Sequence, residues 1–130
     1  MPSFSRASKD QLATCDHRLQ ALFEEVVRVF DCKILEGHRN QEKQHAAFVS
    51  GHSKLDWPNG NHNAMPSKAV DVAPYPVDWT DRERMTFFAG YVLGVAKGMG
   101  LNIRWGGDWD RDWQVKDNNF DDLVHFEIKD

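Results

Sequence analysis

The chain is organised around the stretch Asn61-His-Asn-Ala-Met-Pro-Ser-Lys-Ala-Val-Asp-Val-Ala73. It places His62 in a polar loop and Asp71 in a short apolar run that is typical of a β-strand. Because side chains alternate along a strand, Val70 and Val72 are predicted to face one way and Asp71 the other, between two alanines. A carboxylate beside valines is costly to bury unless it is paired or bound to a metal. We therefore expect a second group to approach the Asp71 face closely.

A second strand-like run near the C-terminus, Asp122-Leu-Val-His-Phe-Glu-Ile128, carries another imidazole, His125. Two histidines and one carboxylate form a three-ligand zinc set that leaves the fourth position to water. His62, Asp71 and His125 are therefore candidate metal ligands. Spacing alone leaves an alternative open, in which His62 is a solvated loop residue and His125 a hydrogen-bonded strand residue.

The totals exclude several classes of protein. A chain of 130 residues with 41% hydrophobic and 28% charged residues is expected to form one globular domain. The net charge of −4 argues against a nucleic-acid binder, which needs a basic surface. Cys15 and Cys32 are expected to be buried free thiols. We expect no signal peptide, because no apolar run follows Met1, and residues 87–101 are too short and too polar to span a bilayer.

The predicted elements mix helices and strands without regular alternation. Ser8 and Gln11 predict a capping box for one long amphipathic helix, residues 8–31, and Asn40 predicts a cap for a second. A third helix is expected to follow the capping box that begins at Thr80 and to end before Gly100. Strands are predicted at residues 33–37, around Asp71, at 101–105 and at 124–128. We therefore predict an α+β fold with a small antiparallel sheet and about three helices.

These motifs resemble the zinc peptidases of the D-alanyl-D-alanine carboxypeptidase superfamily. The resemblance is carried by His62, by Ala69-Val-Asp71 and by Asp122-x-x-His125. The closest branch is that of the phage endolysin L-alanyl-D-glutamate endopeptidases, which the chain also resembles in Gly37-His-Arg39 with Gln44 and in Arg104-Trp-Gly-Gly-Asp108-Trp109. The matches span residues 36–128, and they imply a fold similar to that of the DD-peptidases and hedgehog domains.

The chain departs from that family at two places. The loop between His62 and Asp71 is longer than the usual spacing, and Gly60 stands where the family often has a serine. We expect the excess residues of the loop, 64–67, to project at the rim of the metal site.

The resemblance implies one zinc ion per chain, held by His62, Asp71 and His125, with Asp122 as general base and acid. Asp122 lies three residues before His125, so a regular strand would put the two on opposite faces. It reaches the metal site only from a turn or a bulge, and residues 118–121 favour a turn. Two alternatives stay open: Asp122 caps that turn, or Asp121 has the catalytic role. Glu127 shares a face with His125 and is a candidate contact to its imidazole, with a surface ion pair as the alternative.

The resemblance also implies that Arg39 binds a substrate carboxylate, since a guanidinium can clamp one through two hydrogen bonds. The alternative is a structural ion pair with Glu36 or Glu42. Gln44 and Trp109 are weaker candidates for substrate contact. Trp105, Trp109 and Trp113 are expected to be packing residues or a wall of the cleft, and not a platform for sugar stacking.

Two other sets of residues have ligand-like spacing. His38, His45 and His52 recur every seven residues, but glycines interrupt any continuous helix, so we expect them to be solvated. Asp108, Asp110 and Asp112 resemble the start of a calcium loop, but the glycine and distal glutamate of that motif are absent.

The predicted function is a zinc-dependent endopeptidase that cleaves the stem peptides of bacterial peptidoglycan, at the L-Ala-D-Glu bond, as a phage or prophage endolysin. A D,D- or L,D-carboxypeptidase and a non-catalytic zinc-bearing binding module remain as alternatives. We expect one domain over residues 1–130 without a separate wall-binding domain. We also expect a monomer that is made in the cytoplasm and reaches the cell wall after release, for which a holin is one route.

Overall fold

The computed structural model describes residues 2–116 and 121–130. Over these residues the elements follow one another as α1 (Arg6–Leu12), α2 (His17–Val27), β1 (Cys32–Glu36), α3 (Gln41–Val49), β2 (Ala69–Pro74), α4 (Arg82–Gly98), β3 (Ile103–Trp105) and β4 (His125–Ile128). A 3-10 turn, Asn61–Asn63, precedes β2. The predicted α+β class is confirmed. No helix of the described ranges is long and apolar enough to cross a membrane.

The four strands form one antiparallel sheet in the order β1-β2-β4-β3. In the central strand β2, Asp71 lies opposite His125 of β4 on one side and Glu36 of β1 on the other. Arg104 of β3 lies opposite Glu127 of β4. Because residues directly opposite one another share a face of the sheet, these five side chains form one polar face.

The other face of the sheet is apolar and carries the core. Val70 and Val72 of β2 are fully buried there, as their predicted orientation requires. Phe126 of β4 packs edge-to-face against Phe23 of α2 and Phe88 of α4, with ring centroids 5.5 and 6.1 Å apart. Helices α2 and α4 thus cover the apolar face and leave the polar face to the loops.

The single helix predicted over residues 8–31 is wrong, because the structure has two helices there, α1 and α2. Between them the backbone of residues 14–16 pairs with Ser67: Ser67 N donates to Thr14 O, and Asp16 N donates to Ser67 O. These bonds compete with the helical hydrogen bonds at this point. Asp16 caps α2 by accepting from Arg18 N, and α2 ends at Val27, four residues short of the prediction. Residues 2–116 and 121–130 therefore form four α-helices, where about three were predicted.

The Ser8–Gln11 capping box is also wrong, since Ser5 caps α1 by accepting from Ser8 N. Ser8 Oγ instead accepts from Ile34 N at 3.1 Å, and Gln11 Oε1 accepts from Gly37 N at 3.1 Å. These donors lie at the edge strand β1, whose buried N–H groups need acceptors. Helix α1 therefore covers the edge of the sheet.

The caps of the other helices follow the sequence more closely. Asn40 caps α3 as predicted, and Gly100 adopts φ +75° directly after α4, the conformation that favours glycine. Helix α4 is capped by Asp81 and not by Thr80, whose hydroxyl donates to Asp78. The predicted turn at residues 118–120 lies outside the described residues.

Cys15 and Cys32 are free and buried, as predicted. Burial raises the pKa of the two thiols to about 11 and about 12, so both stay protonated at neutral pH.

Candidate metal centre and cleft

Three side chains from distant parts of the chain converge above the polar face of the sheet. His62 comes from the 3-10 turn, Asp71 from β2 and His125 from β4, and one ligand atom of each lies within 4.8 Å of the others. Asp71 Oδ1 lies 3.1 Å from His62 Nε2 and 3.5 Å from His125 Nδ1. The structure thus brings together the three predicted ligands, although the first and the last of them, His62 and His125, are 63 positions apart in the sequence.

The hydrogen bonds behind the two imidazoles select which nitrogen faces the cluster. His62 Nδ1 lies 2.7 Å from Gly37 O, which can only accept, so this nitrogen carries the proton and Nε2 is left with its lone pair. His125 Nε2 lies 2.6 Å from Glu127 Oε1, which leaves Nδ1 to face Asp71. Backbone or carboxylate partners of this kind orient metal-binding histidines. The donor set of two imidazole nitrogens and one carboxylate oxygen fits zinc.

The electrostatics of the cluster also favour a positive charge. Burial alone lowers the pKa of His125, but hydrogen bonds with Asp71 and Glu127 outweigh it and raise that pKa to about 9. Burial likewise opposes ionisation of Asp71, but the two imidazoles hold the pKa of its carboxyl well below its usual range. A site that retains a proton among these carboxylates can accommodate a divalent cation, which competes with that proton for the same nitrogen.

Asp122 lies beside the three ligands, in the turn that precedes β4. The turn is closed by a hydrogen bond from His125 N to Asp122 O at 3.1 Å, and Asp122 N donates to Gly106 O at 2.8 Å. Asp122 Oδ2 is then 4.0 Å from His125 Nδ1. A Cβ at Gly106 would overlap the Asp122 carbonyl, so glycine is needed for this close approach.

The surroundings of Asp122 suit a group that takes up and releases a proton. Burial, with the nearby negative charge of Asp71, raises the pKa of its carboxyl. Its neighbour Asp121, the alternative from spacing, points to α4 instead and pairs with Arg82 at 2.6 Å. The geometry therefore favours Asp122 over Asp121 for the acid/base role.

Arg39 lines the same cleft and forms an ion pair with Glu36, which is the structural role that the sequence left open as an alternative to substrate binding. Its Nε and Nη2 lie 2.8 and 2.7 Å from Glu36 Oε1, and Nη2 is also 3.6 Å from Asp71 Oδ2. Nη1 donates to Gln44 Oε1 at 3.0 Å. Arg39 is thus held beside the ligand cluster, with Gln44 buried behind it.

Sequence reasoning missed the role of Arg104, which supports the wall of the cleft opposite Arg39. Its guanidinium pairs with the buried Glu127 at 2.8 Å and stacks 5.2 Å from the ring centre of Trp109. The Trp109 ring lies 5.3 Å from that of His125 and lines the cleft, so of its two expected roles the structure shows the wall. Glu127 therefore links Arg104 to His125. The resemblance of residues 104–109 to the family motif was a signal in the sequence that could have indicated this role of Arg104.

The cleft has a volume of about 320 Å³, enough for part of an extended peptide. It is lined by Arg39, Gln44, residues 52–55 and 60–62, Arg104, Trp109, Asp122, His125 and Glu127.

The prediction that residues 64–67 project at the rim of the metal site is wrong, since none of them lines the cleft. Ser67 is fully buried and bound through its backbone to Thr14 and Asp16, while Ala64 O contacts His38 Nδ1 at 3.0 Å. Ser67 therefore binds the junction of α1 and α2, while Ala64 contacts the segment that follows β1.

The other candidate sets have different surroundings. His38, His45 and His52 contact Ala64 O, Asp56 and Ser50 respectively, and they form no three-ligand group within residues 2–116 and 121–130. Asp108, Asp110 and Asp112 do lie within ligand distance of one another. The buried carboxylate of Asp108, however, accepts from the backbone N–H of Trp113 at 2.9 Å and so closes the turn that follows it.

The chain is similar to known proteins over nearly its whole length. Residues 2–129 match the family described as phage L-alanyl-D-glutamate peptidase. The L-alanyl-D-glutamate peptidase of Escherichia phage T5 is 28% identical over 111 residues, which cover 82% of this chain and 80% of that protein. The crystal structure of the L-Ala D-Glu endopeptidase ChiX of Serratia marcescens superposes with a TM-score of 0.76 at 22% identity, over 98% of this chain and 91% of that one. At that identity the likeness to ChiX shows the fold alone. Because the family match spans nearly the whole chain, this protein belongs to the phage L-alanyl-D-glutamate peptidase family.

Proposed function

We propose that this protein is a zinc-dependent endopeptidase that hydrolyses the L-alanyl-D-glutamate bond in the stem peptides of bacterial peptidoglycan. The observation that carries the proposal is the convergence of His62 Nε2, Asp71 Oδ1 and His125 Nδ1 beside the half-buried Asp122 in an open cleft. A binding module would need the ligands but has no need for an acid/base group next to them. The site of action is then the cell wall.

Each residue of the cleft has a distinct task in this proposal. A zinc ion held by His62, Asp71 and His125 supplies Lewis-acid polarisation and an acidified water. Asp122 takes the proton of the attacking water and gives it to the leaving amine, for which its raised pKa is suited. Arg39 binds a carboxylate of the substrate or the developing oxyanion through its guanidinium. Trp109 and Arg104 form the facing wall.

The proposal is tested with purified peptidoglycan and mass spectrometry of the released fragments. We expect wild-type protein with about one zinc per chain to expose new D-glutamate amino termini, and a chelator to abolish this activity until zinc is restored. His62→Ala and His125→Ala are expected to lose both bound zinc and activity. His45→Ala is the matched control, because its imidazole is exposed and pairs with Asp56 outside the ligand cluster.

Two results would contradict the proposal. Full zinc occupancy in both ligand variants would reject the ligand set. Release of terminal D-alanine without new D-glutamate amino termini would replace the endopeptidase with a carboxypeptidase.

A further inference from the structure

Helix α3 is held to the protein in an unusual way. All nine of its residues are described, and among them only Gln44 is buried, with 1% of its surface exposed. A helix on a protein surface normally buries a stripe of apolar side chains. In α3 the buried side chain is instead the polar amide of Gln44, while the apolar Phe48 and Val49 remain exposed. The polar contacts of Gln44 must therefore account for how α3 is placed.

The amide of Gln44 makes four hydrogen bonds, which is the full capacity of its two N–H donors and two lone pairs. Nε2 donates to Ser53 Oγ at 2.9 Å and to Leu55 O at 2.5 Å, both in the loop that forms one wall of the cleft. Oε1 accepts from Arg39 Nη1 at 3.0 Å and from Asn63 Nδ2 at 3.1 Å. The amide thus joins the cleft wall to Arg39 and to the 3-10 turn that carries His62.

These partners determine the orientation of the amide. Leu55 O can only accept and Arg39 Nη1 can only donate, so Nε2 must face the loop and Oε1 must face the arginine. Glu36 holds the other edge of the same guanidinium through Nε and Nη2. The guanidinium of Arg39 is therefore held at two edges, by Gln44 and by Glu36, which fixes the orientation of its plane beside Asp71.

Gly60 provides the space in which this amide sits. Its backbone has φ −79° and ψ 146°, which any residue adopts, so the glycine is not needed for conformation. A Cβ there would lie 2.9 Å from Asn63 Oδ1 and 3.1 Å from Gln44 Oε1. The glycine that replaces the usual serine of the family is thus packed directly against the Gln44 network.

We propose that Gln44 is a positioning residue, which fixes the guanidinium of Arg39 at the orientation that the reaction needs. Its four bonds leave no donor or acceptor of the amide for a substrate, so it acts through Arg39 and not by direct contact. This inference rests on the proposed function, because its consequence is measured in the hydrolysis of the stem peptide.

A double-mutant cycle on kcat/KM tests the inference. In the wild-type background, Gln44→Met removes the amide and all four of its hydrogen bonds at nearly constant side-chain volume. We expect a loss of about tenfold, the scale for the one hydrogen bond among them that reaches the charged Arg39. In an Arg39→Ala background the same change is expected to cost less than about threefold, since the group that Gln44 positions is gone. Equal losses in both backgrounds would overturn the inference and leave Gln44 with a merely structural role.

A second substitution separates positioning from stability. Gln44→Glu keeps an acceptor for Arg39 but sets a carboxylate oxygen against the Leu55 carbonyl. We expect it to be less stable in urea than Gln44→Met yet to retain more kcat/KM. The same order in both measurements would also overturn the inference.

The control is Gln41→Met, an exposed glutamine at the start of the same helix, which is expected to match the wild type in both assays. Failure of the proposed function is distinguishable from failure of the inference. In the first case the wild-type protein releases no D-glutamate amino termini; in the second it does, but the cycle is additive.

Discussion

Asp122 depends on a single turn of the chain for its place at the site. A carboxylate three residues before a strand histidine would face away from it in regular β-structure. The hydrogen bond between His125 N and Asp122 O starts β4 after a turn, and Gly106 gives the turn room to approach. The carboxylate of Asp122, the proposed acid/base group, therefore lies 4.0 Å from the candidate ligand His125.

We expect Asp122→Asn to lower kcat/KM by about two to four orders of magnitude, because the amide cannot accept a proton but has nearly the same shape. Zinc content and the urea midpoint are expected to stay near those of the wild type. Asp121→Asn is the matched control, since that side chain pairs with Arg82 away from the cleft. A similar loss in the control would assign the effect to the turn and not to the carboxylate.

At the scale of the elements, the N-terminus of α2 concentrates several interactions on one carboxylate. Asp16 accepts from Arg18 N at 2.8 Å and from the Arg18 side chain, and Arg18 also binds Asp130 near the C-terminus. The hydrogen bond from the Arg18 side chain holds the pKa of Asp16 at about 2. The cap therefore fixes the start of α2 directly after the break from α1.

Asp16→Ala is expected to lower the free energy of unfolding by about 1–2 kcal/mol at pH 7, the usual range for loss of an N-cap. Because the pKa of Asp16 is lower in the folded chain than its ordinary value of about 4, its ionic stabilisation is complete above that value. It should disappear as the pH falls from about 4 towards 2.

Urea denaturation of the wild type and Asp16→Ala over that pH range measures this change, with the exposed Asp10→Ala as control. A difference between wild type and variant that stays constant from pH 7 to pH 2 would contradict the role of the charge.

At the scale of the whole molecule, the sheet separates the apolar core, which lies on one face, from the ligand cluster, which lies on the other. Adjacent residues of β4 face opposite ways, so Phe126 packs in the core while His125 and Glu127 face the cleft. The ligand cluster thus sits on a rigid support whose other face is filled by α2 and α4. We therefore expect that substitutions one residue apart change function and packing independently.

Phe126→Leu is expected to lower the free energy of unfolding by about 1–2 kcal/mol, through lost apolar volume, while the zinc affinity stays unchanged.

Glu127→Gln should weaken zinc binding by about 10- to 100-fold, because it alters the partner that orients His125. Urea denaturation and a competitive zinc titration measure the two effects. Loss of zinc affinity in Phe126→Leu would show that the two faces are coupled.

Local patterns in the sequence were sufficient for much of the fold. Alternation around Asp71 predicted which face of β2 is buried, Asn40 and Gly100 predicted helix ends, and the paired imidazoles and carboxylate predicted a ligand set. The buried face and the helix ends depend on neighbours within a few residues, where strand and helix geometry dictate direction. The ligand set extends from His62 to His125, and the resemblance to a known family selected it.

Contacts between distant segments were decided only by the tertiary structure. The apolar periodicity of residues 8–31 continues through the break between α1 and α2, so it did not indicate where the helix stops. The break coincides with the hydrogen bonds that Ser67 makes to the backbone of Thr14 and Asp16. The tautomer of His62 depends on the carbonyl of Gly37, and the task of Gln44 depends on Arg39, Leu55 and Asn63. The sequence by itself determined which groups this protein has for its chemistry. Their orientation came from the tertiary structure, because a hydrogen bond depends on the distance and direction between atoms that the order of residues does not specify.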